Sequence, residues 1–281
     1  MTRQLLACTD AEHRVETVNG LRLHLLQRGP SEAPTVCFLH GGAAHAHWFD
    51  RVIPGLGTRF RAIALDQRGH GESQWATPAA YATEDFAGDL RGLMDRLGLA
   101  RMTLVGHSMG GHNAMAFAAW YPERTAALVV VDARPSLPPE RVQRMRERGR
   151  RAPRVHASED SALATFRLLP RDTVADPALL AHLARMGLAR VNGGFRYRFD
   201  PACYADRRPV DCWPLLPRIE VPTLVVRGEH SPVLPLDMAA RMLETIPDAE
   251  LVEIPDAYHH LTLDAPDAFA AALDTFLRRA L

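Results

Sequence analysis

The chain has 281 residues, 47% of them hydrophobic, enough for one large core or a core that carries an inserted subdomain. Lys+Arg number 33 and Asp+Glu 33, so the formal net charge is zero and composition gives no argument for nucleic acid or an anionic membrane as partner. No window approaches the roughly 18 consecutive apolar residues of a membrane span, and Cys8, Cys37, Cys203 and Cys212 show neither C-x-x-C nor zinc spacing. A reduced, cytoplasmic setting is therefore expected. Leu5-Leu6-Ala7-Cys8 superficially resembles a lipoprotein cleavage box but lacks an apolar stretch ahead of it, and it is rejected as one.

Residues 1–13 read as a loosely held arm. Val15 to Val18, then Asn19-Gly20, then Leu21 to Leu25 predicts a hairpin, because Asn-Gly is the strongest two-residue turn signal. Thr35 to Leu39 is a continuous apolar run typical of a strand covered on both faces, and it ends in His40-Gly41-Gly42. Arg61 to Leu65 is another such strand, closing in Asp66-Gln67-Arg68-Gly69-His70-Gly71-Glu72-Ser73. Phe86, Leu90, Leu93, Met94 and Leu97 recur at helical spacing. A strand follows over Met102 to Val105, a helix from Met109 to Tyr121, and a strand from Leu128 to Asp132.

The rhythm then breaks. Pro135, Pro138 and Pro139 open a segment with an Arg-rich helix (Arg141, Arg144, Arg146, Arg148, Arg150, Arg151) and further helices predicted near 158–169 and 176–190. The α/β pattern resumes with Thr223 to Gly228, a helix over 236–245, a strand over 251–254 and a terminal helix from about Pro266. Alternating strands and helices imply a mostly parallel sheet with helices on both faces, whose ligands bind outside the carboxyl ends of the strands. His40, Asp66, Ser108 and Asp132 all fall at such ends. The expected organisation is a core of 1–133 and 218–281 with a helical cap, 134–217, inserted after the sixth strand.

Gly106-His107-Ser108-Met109-Gly110 is a G-x-S-x-G stretch with a strand before it and a helix after it. Such an abrupt turn holds its middle residue in a strained backbone geometry, leaves room only for flanking glycines and lifts the Ser hydroxyl clear of the sheet. The Met109 N–H then sits at a helix N-terminus, able to stabilise an oxyanion. Ser108 is the predicted nucleophile.

Taken with His40-Gly41-Gly42, the Asp66–Ser73 turn and Tyr258-His259-His260 ahead of Leu263-Asp264-Ala265-Pro266, this stretch resembles the α/β-hydrolase superfamily over nearly the whole chain. The resemblance implies an α/β-hydrolase fold. It places the general base at His259, with His260 as the alternative, and the second oxyanion donor at the N–H of Gly42. The acid departs from the commonest pattern: Ser231 stands where an Asp is usual. Asp132, one helix and one strand beyond Ser108, is favoured, with Glu229 as the alternative.

The expected enzyme is a serine hydrolase of a small, largely apolar carboxylic ester or lactone, with no cofactor and no metal, as a monomer or homodimer. Carbon–carbon bond hydrolysis, cofactor-free perhydrolysis, thioester cleavage and a non-catalytic receptor on the same scaffold are alternatives. His45 and His47 form H-x-H, but no third ligand follows at metal spacing. Trp48, His107, Phe166 and Trp213 are candidate pocket walls, with Phe49, Phe195 and Tyr197 as further aromatics that suit either a pocket or core contacts. The Arg run admits two readings, steering an anionic substrate or a solvated helix face.

Overall fold

The computed structural model describes residues 11–281, so most of the predicted arm, and Cys8 with it, lies outside the described residues. Strand β1 (Glu12–Val18) begins before the predicted end of that arm and pairs antiparallel with β2 (Leu21–Arg28). Asn19 and Gly20 both have positive φ, the hairpin geometry that an Asn-Gly turn supplies.

Four apolar runs form the centre of the sheet. They are β3 (Thr35–Leu39), β4 (Arg61–Leu65), β5 (Met102–His107) and β6 (Thr125–Val131). With β9 (Thr223–Gly228) and β10 (Ala249–Ile254), numbered after the separate hairpin strands β7 and β8 described below, they give the order β1-β2-β4-β3-β5-β6-β9-β10. All pairings from β4 to β10 are parallel. Side chains alternate across it: Val129 and Val131 of β6 join one core, Leu128 and Val130 the other. Helices α1 (Thr83–Leu97) and α2 (Met109–Trp120) cover the second face, with Leu90, Met94, Met115 and Phe117 buried there. The first face takes Phe269, Leu273 and Phe276 of the terminal helix, α9 (Pro266–Ala280), which follows the one-turn α8 (Leu261–Asp264). Helix α7 (Leu236–Thr245) follows β9 and also packs on the second face, through Ala239 and Met242. This is a mostly parallel, doubly covered α/β sheet.

Between β6 and β9 the chain forms α3 (Pro139–Gly149), α4 (Glu159–Leu163), α5 (Pro177–Met186), the antiparallel hairpin β7 (Leu188–Val191) and β8 (Gly194–Tyr197), and α6 (Ala202–Ala205). Two predictions change here. The helix expected over 158–169 is a single turn capped by Ser158, and the one expected to reach residue 190 stops at Met186. Asn192-Gly193-Gly194 is the reason for the second: Gly193 and Gly194 have positive φ, so the chain reverses and residues 188–191 pair as a strand instead.

This segment is pinned over the loops that follow β3 and β4. Gly71 N–H donates to the Arg198 carbonyl at 2.9 Å, Asp200 N–H to the Gly69 carbonyl at 2.8 Å, and His45 Nε2–H to the Leu183 carbonyl at 3.0 Å. His182 of α5 donates to Asp50 at 2.9 Å.

Candidate active site

Ser108 sits where β5 turns into α2, with φ 53° and ψ −114°. That conformation is strained for a residue with a Cβ, and it is held by close packing on both sides. A Cβ at Gly106 would lie 2.4 Å from the Gly110 carbonyl oxygen, and one at Gly110 would lie 2.2 Å from that of Leu39. Only glycine fits either position.

Sheet register brings the remaining groups beside it. His107 pairs with Val131, and Val131 with Val226, so the residues just past these strand ends lie in a row. Ser108 N–H donates to the Val131 carbonyl at 2.9 Å, and Asp132 N–H to that of Val226 at 2.7 Å. Asp132, also at positive φ, is fully buried and accepts three hydrogen bonds: Gly228 N–H at 3.0 Å, the Ser231 hydroxyl at 2.7 Å and His259 Nδ1–H at 3.1 Å. The Ser108 hydroxyl donates to His259 Nε2 at 3.1 Å. Serine, imidazole and carboxylate thus form one continuous relay. The Ser231 hydroxyl serves as a donor to the carboxylate instead of replacing it.

Burial sets the protonation states. It pushes the Asp132 carboxyl up to about 6, against the opposing pull of Gly228 N–H and the Ser231 hydroxyl, which favour the ionised form. Burial, then the positive field of His260 and Arg141, holds His259 well below the ordinary imidazole range. At neutral pH the relay is Asp132 carboxylate and neutral His259, the state in which Nε2 can take a proton.

The loop carrying His259 is fastened by Asp264, which accepts Tyr258 N–H at 2.9 Å and, through its other oxygen, Val174 N–H at 3.0 Å. On the opposite side, His40 holds the 40–44 loop: its Nδ1–H donates to the Gly41 carbonyl at 2.8 Å and its Nε2 accepts Gln67 N–H at 3.0 Å. Met109, first residue of α2, has an N–H with no intrahelical acceptor. Gly42, Ser108 and Met109 line one cavity of about 260 Å³. The Asp66–Ser73 turn is a brace: Asp66 accepts Ala46 N–H at 2.6 Å, Glu72 N–H at 2.9 Å and His24 Nδ1–H at 2.8 Å.

The alternatives do not reach Ser108. Glu229 lies on the surface and accepts Asp256 N–H at 2.9 Å. His260 turns away and donates to the Pro170 carbonyl at 3.0 Å. None of the four predicted pocket walls, Trp48, His107, Phe166 and Trp213, lines this cavity. Phe166 of the inserted segment meets the buried Trp48 edge-on, ring centroids 6.5 Å apart, and packs against the core. Trp213 packs on the other core under the Arg241 guanidinium, 4.0 Å from its ring centroid. His107 donates to the His259 carbonyl at 2.9 Å and so supports that residue from behind.

What lines the cavity instead is arginine: Arg134, Arg141, Arg144, Arg148 and Arg207, with Tyr204, Met145 and Leu137 among them. The signal was in the spacing. Arg141, Arg144 and Arg148 stand at i, i+3 and i+7, one face of α3. The lining is therefore mixed, with arginines set among apolar side chains such as Leu137, Met145, Leu169 and Val233. The H-x-H pair does not act together: His45 bonds the Leu183 carbonyl, while His47 meets Asp50 and His182. His47 and His182 both hydrogen-bond the Asp50 carboxylate, at 3.0 Å and 2.9 Å, which satisfies all three groups as they stand.

Residues 34–266 match the family described as alpha/beta hydrolase fold, and the chain belongs to it. It is 28% identical to the 2-(acetamidomethylene)succinate hydrolase of Mesorhizobium japonicum, over 91% of this chain and 92% of that one. The crystal structure of an E-2-(acetamidomethylene)succinate hydrolase superposes with a TM-score of 0.85 at 27% identity, covering 95% of this chain and 99% of the other. An enol-lactonase from Burkholderia xenovorans gives 0.78 at 27%, covering 94% and 100%. Family and relatives together support hydrolytic enzyme activity. No helix among the described residues is long and apolar enough to cross a membrane.

Proposed function

We propose that the chain is a serine hydrolase that cleaves a small carboxylic ester or lactone through an acyl-enzyme on Ser108. A neutral serine is a weak nucleophile until a base removes its proton as it attacks. His259 Nε2 takes the Ser108 proton while Oγ bonds to the carbonyl carbon, and Asp132 orients the imidazole and stabilises its cationic form. The N–H groups of Gly42 and Met109 receive the oxyanion. Collapse of the tetrahedral adduct breaks the carbon–oxygen bond, and His259 returns the proton to the departing alkoxide. Water then repeats the sequence: its proton goes to His259, its hydroxide to the acyl carbon, and Ser108 regains its hydrogen as the acid departs. The 134–217 segment acts as a cap that closes the cavity over these steps.

The observation that carries this reading is the buried relay from Ser108 Oγ through His259 to Asp132, with its serine at the wall of a cavity. Turnover of p-nitrophenyl acetate and butyrate tests it. Wild type is expected to hydrolyse at least one of them well above background, and Ser108→Ala to fall to background. Equal rates in the two proteins would overturn the reading.

A further inference from the structure

The cavity beside Ser108 holds a charge that the serine relay does not use. Five arginines line it and no aspartate or glutamate does. Elsewhere the fold pairs its arginines: Arg68 with Asp89, Arg185 with Glu159, Arg198 with Glu72. Among the described residues, none of Arg134, Arg141, Arg144, Arg148 and Arg207 has a carboxylate partner. A guanidinium does not lose its proton to relieve such crowding. The strain shows at Arg141, which burial and then the neighbouring charges of Arg134 and Arg144 make less basic.

The arginines are graded by depth. Arg207 is 2% exposed, and its guanidinium reaches only neutral acceptors, Asn113 Oδ1 at 2.8 Å and the Tyr81 carbonyl at 3.4 Å. Arg134 has a buried Nε with no acceptor. Arg141 is half-buried, and its charge is felt by His259. Arg144 and Arg148 stand exposed at the rim. A buried cation with no carboxylate in contact, Arg207 feeling Glu84 and Asp85 only at longer range, is costly, and an incoming anion removes that cost. Arg207 is also tied to the oxyanion loop: Asn113 donates to Gln67 at 2.9 Å, and Gln67 donates to the His40 carbonyl at 2.7 Å.

Building on the serine-hydrolase reading, we propose that the substrate carries an anionic oxyacid group, carboxylate or phosphate, which Arg141 and Arg207 hold while Ser108 attacks its ester. Arg134 flanks the bound group. Arg144 and Arg148 draw it in from solvent. Forked guanidinium donors match either oxyacid, so the chemistry of recognition is shared.

Binding is measured first, by calorimetry on Ser108→Ala, with glutarate and inorganic phosphate as probes and pentanamide as the neutral control. At least one anion is expected to bind at least 10-fold more tightly than pentanamide, and Arg141→Gln in the same background to weaken it by about 10- to 100-fold. Whichever anion binds more tightly identifies the oxyacid. Kinetics on monomethyl glutarate against methyl pentanoate form the second arm. If glutarate is the tighter probe, wild type favours the anionic ester in kcat/KM, and Arg141→Gln cuts that preference mainly through KM. Arg207→Lys, which keeps the buried charge but loses the fork, lowers anion affinity in the folded protein. Anions binding no more tightly than pentanamide, or as tightly to Arg141→Gln, would overturn the proposal. Loss of anion preference with Ser108 still labelled by a fluorophosphonate defeats the anion pocket alone. Anion binding without labelling defeats the serine-hydrolase reading alone.

Discussion

The two walls of the cavity are built on opposite principles. On the sheet side, Ser108 and Asp132 at strand ends and His259 on the loop after β10 are short or stiff side chains, fixed by hydrogen bonds inside the fold. On the side of the inserted segment, long, flexible arginines without ionic partners among the described residues stand among apolar side chains. Bond making needs atoms held to within fractions of an ångström, which a sheet edge provides. Choosing a substrate needs only charge and reach, and those can be carried by a segment that rests on the loops. Chemistry and selectivity should therefore fail separately.

The largest expected effect breaks the rigid wall. Three donors point at Asp132, and an asparagine amide has one acceptor oxygen for them, so Asp132→Asn leaves His259 in the wrong tautomer. We expect kcat to fall by about 10³–10⁴-fold. Adding Ser231→Asp places a carboxylate where the Ser231 hydroxyl now donates, and should recover part of the loss. Glu229→Gln, on the surface, should leave kcat within about twofold. The reverse ranking of Asp132 and Glu229 would reassign the acid.

Acidity acts on the same wall. In the proposed mechanism, activity needs Asp132 ionised and His259 neutral. With Asp132 raised by burial to about 6 and His259 depressed, kcat/KM should fall as pH drops through about 6 and stay level above it. A profile flat down to pH 5 would contradict this. The scaffold beneath should be acid-sensitive too. Burial lowers His45 and His112 to about 4 and His70 to about 3, while an unfolded histidine titrates near 6.5. The folded state therefore binds fewer protons below pH 6.5, so its stability is complete above that pH and is lost as pH falls. Each of the three contributes about 2 kcal/mol of that loss by pH 5. Raised Asp132, Asp89 and His47 act in the opposite direction but are outnumbered, because burial also lowers His40, His107, His259 and His260. The melting temperature should drop by several degrees between pH 7.5 and pH 5, and an unchanged or higher value would count against it.

How much of this was legible in the sequence follows the same division. Strand ends announce themselves, because a buried strand needs a continuous apolar run and a sharp turn needs glycine; Thr35–Leu39, Gly106 to Gly110 and the reach of Asp132 could be read directly. The long-range partners could not. Nothing near His47 in sequence announces His182, and Trp48 and Phe166 looked like pocket walls because an aromatic suits a cavity and a core equally well. Arg141, Arg144 and Arg148 were visible as an Arg run, but only their phase on α3 separates the cavity side from the solvated one.

The most direct measurement is the rate of covalent labelling by a fluorophosphonate, followed by intact mass and peptide mapping. The account predicts a single adduct on Ser108 in the wild type, none in Ser108→Ala, and labelling slowed at least 100-fold in His259→Ala. Folded wild-type protein that stays unlabelled, or an adduct that persists in Ser108→Ala, would contradict it.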